Sequence, residues 1–266
     1  MDKKKKLLTI ITILLFIIVL FLIFFVVRNY ILKKNFEKDI LSFSNMNSET
    51  TFKIDKIVFF SNCDAKNKNI SKSNFTIEDL YQYTDIAIFI DGNSDEKTLK
   101  NTFKEVTLSN LNFITPPSIG QPNLYFKSIN QFSKNNLPDD KYIINDNFSF
   151  DITSNDEADL SNPILYNNLA NPITLTYVNN NIKSDFTITD TSSPITYDGS
   201  LLKTCNIPIS SINCKLSFDI LITNNLDEQF KCSVYINIPL ENNDKSIYDG
   251  NITMEQKTNY KFYRYK

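Results

Sequence analysis

The sequence predicts a mainly β protein: one N-terminal transmembrane helix followed by an antiparallel β-sandwich, immunoglobulin-like, outside the membrane. Three observations predict it. A single uninterrupted apolar run stands near the N-terminus, and the remainder alternates apolar and polar residues in short segments. Turn-forming Asn, Asp, Ser and Pro punctuate those segments at intervals of roughly 8–15 residues, the spacing of a sandwich.

Residues 7–27 (LLTIITILLFIIVLFLIFFVV) carry no charge and no helix breaker. At about 1.5 Å per residue such a run covers the ~30 Å hydrocarbon core of a bilayer. A cleaved signal peptide would have a shorter apolar stretch and a small-residue exit. Here the exit is Phe25, Val26, Val27 and Arg28, and the run holds neither Ala nor Gly. A lipoprotein would need a cysteine directly after the run, but the first is Cys63. A type IV prepilin leader would need a Gly before the run and a Glu just inside it; both are missing. The run therefore reads as an uncleaved signal-anchor contacting the lipid bilayer. Lys3, Lys4, Lys5 and Lys6 form a denser basic flank than Arg28, Lys33, Lys34 and Lys38, which Glu37 and Asp39 partly offset. The denser flank stays inside. Residues 1–6 are then a cytoplasmic tail, 28–50 a juxtamembrane segment, and 51–266 an extracytoplasmic β-rich region in type II topology.

Within that region 214–222 (CKLSFDILI) and 230–238 (FKCSVYINI) alternate most cleanly, and the turn-rich 223–229 joins them as a β-hairpin. Centred on Leu226, this hairpin sets 214 opposite 238 and 220 opposite 232. Further strands are expected at 52–60, 85–91, 104–114, 123–127, 142–151, 172–178, 184–190 and 252–263. Pro116, Pro117 and Pro122 bracket a segment unsuited to a central strand. The membrane helix is expected to run on into 28–42. Short helical turns are expected at Thr76–Tyr81, on the spacing of a helix cap, and at Ser94–Phe103. The region is long for one immunoglobulin-like unit of about 100 residues. Two packed sandwiches split at the polar 154–163 (SNDEADLSNP) stand beside one body as readings.

Composition excludes several activities. The chain has no His and 4 Gly. It therefore lacks a Ser-His-Asp triad, a Cys-His dyad, a His-ligated metal and a glycine-rich phosphate loop. The 35 Asn and 26 Lys against 2 Arg and 4 Ala follow AT-rich codons, so a low-GC bacterium is the expected source. The outer region is mildly acidic, which disfavours nucleic acid as a partner.

Cys63, Cys205, Cys214 and Cys232 all fall in the outer region, where disulfides persist. Cys205, Cys214 and Cys232 share apolar strand faces, so buried thiols acting as small hydrophobes are the preferred reading. Cys205–Cys214 is the best-placed alternative bridge. Leu201–Cys205 compares with the T-L-x-T-C strand of sortases but has Leu201 in the first position. With no histidine in the chain and Arg264 far downstream, Cys205 is not read as a nucleophile. The S-M-x-P segment of type I signal peptidases has no counterpart.

The metal-like spacing is Asp91, Asn93 and Asp95, the first three oxygen positions of a calcium loop. It carries Glu96 where Gly belongs and Thr102 at the twelfth position, so a strand-ending turn is preferred. The aromatic, basic tail 260–266 reads as a strand alternating Tyr260 and Phe262 with Lys261 and Tyr263, or as a terminus that adds to a partner's sheet edge. No catalytic residue and no cofactor are assigned. The expectation is a non-catalytic interaction or structural module of a bacterial cell envelope, with an envelope protein as partner. The alternative is an anchored ligand- or calcium-binding module, or a hydrolase built on carboxylates.

Overall fold

Residues 3–45, 51–70, 75–92, 98–153, 164–166, 172–189 and 195–265 are described in the computed structural model. The chain divides into two compact units, 1–49 and 50–266.

The first unit is helix α1 (Lys3–Asn45). Its stretch Thr12–Asn35 has a mean hydropathy of 2.7, and none of that stretch is buried by protein. Side chains that would cost free energy in water all the way round the helix belong in lipid. Among the described residues one helix is thus long and apolar enough to cross a membrane, and it continues past residue 42 as the sequence suggests.

The second unit is built from β1 (Lys53–Ile70), β2 (Phe75–Asp91), β3 (Phe103–Thr115), β4 (Gln121–Phe126), β5 (Asn147–Thr153), β6 (Ile164–Tyr166) and β7 (Ile173–Ile188). Two short helices follow, α2 (Ser200–Thr204) and α3 (Ile209–Ile212), then β8 (Lys215–Asn224), β9 (Gln229–Asn237), β10 (Ile252–Lys257) and β11 (Tyr263–Arg264). These strands form two sheets, a five-stranded one in the order β10-β1-β2-β7-β4 and a six-stranded one in the order β11-β9-β8-β3-β5-β6. Every pairing is antiparallel except β5 with β6. One core fills the space between the sheets, with Ile57, Phe59, Ile86, Ile88, Leu175 and Tyr177 meeting Val106, Leu108, Phe218, Ile220, Ile222 and Val234.

The β8–β9 hairpin has the register set by its alternation: Ile220 pairs with Cys232, and Ile238 N–H donates to Cys214 C=O at 2.9 Å. The proline pattern holds too, since Pro122 lies in β4 at a sheet edge, where its missing N–H costs no ladder bond.

Other expectations are corrected. Thr76–Tyr81 is not a helical turn but the start of β2, paired on one side with β1 and on the other with β7. Two flanking ladders outweigh one local cap. The strands expected separately at 172–178 and 184–190 are one strand, β7, and the strand expected at 142–151 begins only at Asn147. The strand expected at 252–263 is broken into β10 and β11. Residues 98–102 form turns rather than helix, and the rest of the helix expected at 94–103 lies outside the described residues, as does the boundary at 154–163.

The tail joins the two sheets. Ile54 N–H donates to Tyr260 C=O at 2.8 Å and Phe262 N–H to Phe52 C=O at 3.1 Å, which holds it on β1. Tyr263 and Arg264 then pair with Lys231 and Phe230 of β9 in the other sheet. Phe262, between these attachments, is fully buried against Phe52, with ring centroids 6.2 Å apart. An aromatic anchor in the core is the reason the terminus stays in place.

Candidate functional site

Two places on the second unit combine polar chemistry with accessible space. One lies on the outer face of the five-stranded sheet, the other at the corner made by the tail.

After β4 the chain crosses back over its own sheet as a strap, 127–144, with short 3-10 turns at Ile129–Gln131 and Asp140–Tyr142. The strap covers a second apolar cluster of Tyr81, Tyr83, Tyr125 and Val178, against which Phe60, Leu137 and Ile143 pack. Its return end is fastened by Ile144 N–H to Leu124 C=O at 2.8 Å. Its outgoing end is fastened by charge. Lys127 Nζ lies 2.8 and 2.9 Å from the two carboxylate oxygens of Asp85, and it donates to Lys134 C=O at 2.8 Å. Ser133 N–H donates to Asp85 Oδ2 at 2.7 Å, from a backbone at φ 61. The side chains of Lys127 and Asp85 are 4% and 0% exposed.

Burial pushes the Asp85 carboxyl up despite the pull of Lys127, and burial pushes the Lys127 ammonium down despite the pull of Asp85. All three ammonium protons have acceptors, so this pair has no donor left for a substrate. It is a clamp that closes the strap over the sheet. The Lys127 ammonium also sits 5.2 Å from the centre of the Tyr83 ring, whose phenol burial raises to about 12.

Beside the clamp lies a cavity of about 170 Å³, open to solvent on one side. Phe126, Leu137, Pro138 and Tyr142 give its apolar walls, and Ser128, Asn130, Gln131 and Asn136 its polar ones. Ser128 occupies the position before a 3-10 turn, where a serine hydroxyl ordinarily caps, yet it makes no capping bond. Its Oγ is buried without a hydrogen-bond partner among the described residues.

At the tail corner a groove of about 440 Å³ is lined by Lys231, Ser233, Tyr260, Tyr263, Arg264 and Tyr265, among others. Tyr235, Tyr263 and Tyr265 are each more than half exposed. Two of the cations here are paired: Lys231 with Asp219 at 2.9 Å and Arg264 with Glu228 at 3.1 Å. The tail also closes part of the β9 edge. Tyr260 OH accepts from Tyr235 N–H at 3.2 Å and donates to Tyr235 C=O at 2.9 Å, while Tyr265 N–H donates to Gln229 C=O at 2.6 Å. The terminus thus spends its pairing capacity on its own sheet, with its tyrosine rings left outward.

The four cysteines are free and buried. Cys205 and Cys214, the alternative bridge, stand in different surroundings. Cys205 ends α2 in the surroundings of Cys63 and Lys183, whereas Cys214 meets the Tyr177 hydroxyl. Burial pushes all four thiols up, Cys205 and Cys214 to about 11 and Cys232 to about 12. Of the calcium-like positions, Asp91 ends β2 and pairs with Lys53 at 2.9 Å, while Asn93 and Asp95 lie outside the described residues. Among the described residues no three His, Cys, Asp or Glu side chains converge.

Reading the sequence by alternation misses Asp85, Lys127 and Ser128. Asp85 marks the start of the expected strand 85–91 and Lys127 the end of 123–127, the places where charges normally stand. No protein-family model, curated protein or solved structure matches the chain.

Proposed function

We propose that the protein is a single-pass, membrane-anchored interaction module of a low-GC bacterial envelope, with the N-terminus cytoplasmic and the β unit outside. It works by contact and not by catalysis. The observation that carries this reading is the tail corner: exposed Tyr263 and Tyr265 line a groove whose Lys231 and Arg264 are already paired within the chain, and exposed Tyr235 stands next to it, bonded through its backbone to the groove residue Tyr260. Exposed tyrosines give large, rigid contact area at low conformational cost and are enriched where proteins meet. A non-catalytic role is supported by the filled donors of Lys127 and by thiols held protonated through burial. The flanking lysines Lys3–Lys6 support the orientation.

Two experiments test it. Protease added to intact protoplasts should remove the β unit, and full protection would invert the orientation. Purification of the full chain from crosslinked membranes should recover a specific envelope protein. The triple variant Tyr235→Ala, Tyr263→Ala, Tyr265→Ala should lose that partner, and its undiminished recovery would sink the tyrosine corner as the contact.

A further inference from the structure

We propose that the cavity formed within the strap, next to Phe126, binds a small, neutral, hydroxylated aromatic ring. The space of about 170 Å³ matches one six-membered ring with a small substituent, since an apolar cavity of about 150 Å³ accepts benzene. Phe126 and Tyr142 stand nearly perpendicular, their centroids 5.7 Å apart at 64°. Both line the cavity, and a further ring can join them edge-on or offset, the two arrangements aromatic pairs prefer. Leu137 and Pro138 add aliphatic surface.

Charge selects against ions. Lys127 lines the cavity, but its three protons go to Asp85 and to Lys134 C=O, so no cationic donor faces an incoming anion. Asp85 is fully buried behind that lysine, which removes the local attraction for a cation. Among the polar walls, Gln131 and Asn136 already bond each other at 2.7 Å.

One wall atom is both buried and unsatisfied. Ser128 Oγ is buried with no partner, on a residue that is 7% exposed. An unpaired buried hydroxyl is unfavourable, and a single ligand hydroxyl satisfies it. A hexose, with no aromatic face and hydroxyls on every side, would gain less from walls that are mostly apolar. A plain hydrocarbon ring would leave Ser128 as it is. The binding site and the tyrosine corner rest on separate observations, so either can fail alone.

The test uses the full chain in lipid nanodiscs, labelled with 3-fluorotyrosine, the Tyr142 resonance being assigned with Tyr142→Phe. Titration with p-cresol, against empty nanodiscs as control, should move the Tyr142 resonance saturably. Toluene should bind more weakly, and glucose should produce no shift. Ser128→Ala should weaken p-cresol about three- to tenfold and leave toluene unchanged, as loss of one neutral hydrogen bond requires. Leu137→Phe, which fills the cavity, should abolish the shift; Ser128→Val serves the same end, and unchanged remaining tyrosine lines report an intact fold. No saturable shift with p-cresol, equal binding of toluene and p-cresol, or an effect of glucose in its place would each overturn the proposal.

Discussion

The two sheets of the β unit bury their outer faces to different extents. In β9, of the six-stranded sheet, buried and accessible residues alternate along the whole strand, and Tyr235, Ser233 and Asn237 face water. In β2 and the first half of β7, of the five-stranded sheet, nearly every residue is buried, because the strap lies across the face that would otherwise be wet. An antiparallel sheet with one wet face needs no charge in its interior. A sheet whose outer face is covered by a loop must satisfy the loop's backbone groups, and here Asp85 and Lys127 do so by receiving Ser133 N–H and reaching Lys134 C=O. The comparison teaches that the covered face is closed by an internal polar clamp, while the open face and its tail corner remain available for contact.

The largest effect expected is at the clamp. Lys127→Met should cost about 3–5 kcal/mol in chemical denaturation, since it strands a buried carboxylate. The double variant Asp85→Leu, Lys127→Met should recover most of that loss, because two apolar side chains leave no charge behind. A double variant as unstable as the single one would show that the pair does more than neutralise itself. On the open sheet Tyr235→Ala should change stability by no more than about 0.5 kcal/mol, the usual range of surface positions.

The same comparison predicts opposite responses to acid. Burial raises the Asp219 carboxyl, but hydrogen bonds from Ser233, Asn110 and Lys231 outweigh it and hold the group below the ordinary value. A depressed carboxylate adds stability above its unfolded pKa of about 4 and loses it as pH falls through the lower folded value. Asp219→Asn should therefore be destabilising at pH 7, with the difference from the natural chain shrinking below about pH 4. Asp85 is raised by burial, so its ionised form is the disfavoured one in the folded state. The natural chain should gain stability relative to Asp85→Asn as pH falls from neutrality through the raised folded value. Parallel pH profiles for the two variants would contradict the contrast between the faces.

The smallest effect concerns the thiols. In the folded protein at pH 8 all four should react slowly with a thiol reagent, and unfolding should release four equivalents. Two equivalents after unfolding would mean that a bridge forms in the cell.

The sequence made the anchor and the β8–β9 hairpin legible because each rests on a local, repeated pattern: an unbroken apolar run, and alternation with a turn at Leu226. The strap was not legible. Its closure joins Asp85 to residues 127–134, a long-range pairing that no local periodicity records. β2 was only half legible, since a strand buried on both faces loses its alternation, and Thr76–Tyr81 resembles a capped helical turn until its two ladders are known. The tail was legible as a strand. Its division between two sheets depends on Phe262 finding the core, which strand propensity does not specify.

The proposed contact is at the open tyrosine corner and not on the strap-covered face. A photo-crosslinking amino acid placed at Tyr263, and separately at the exposed strap residue Lys134, tests it in intact cells. A discrete crosslinked envelope protein is expected from position 263 and none from position 134. Crosslinking from position 134 with silence at 263 would contradict it.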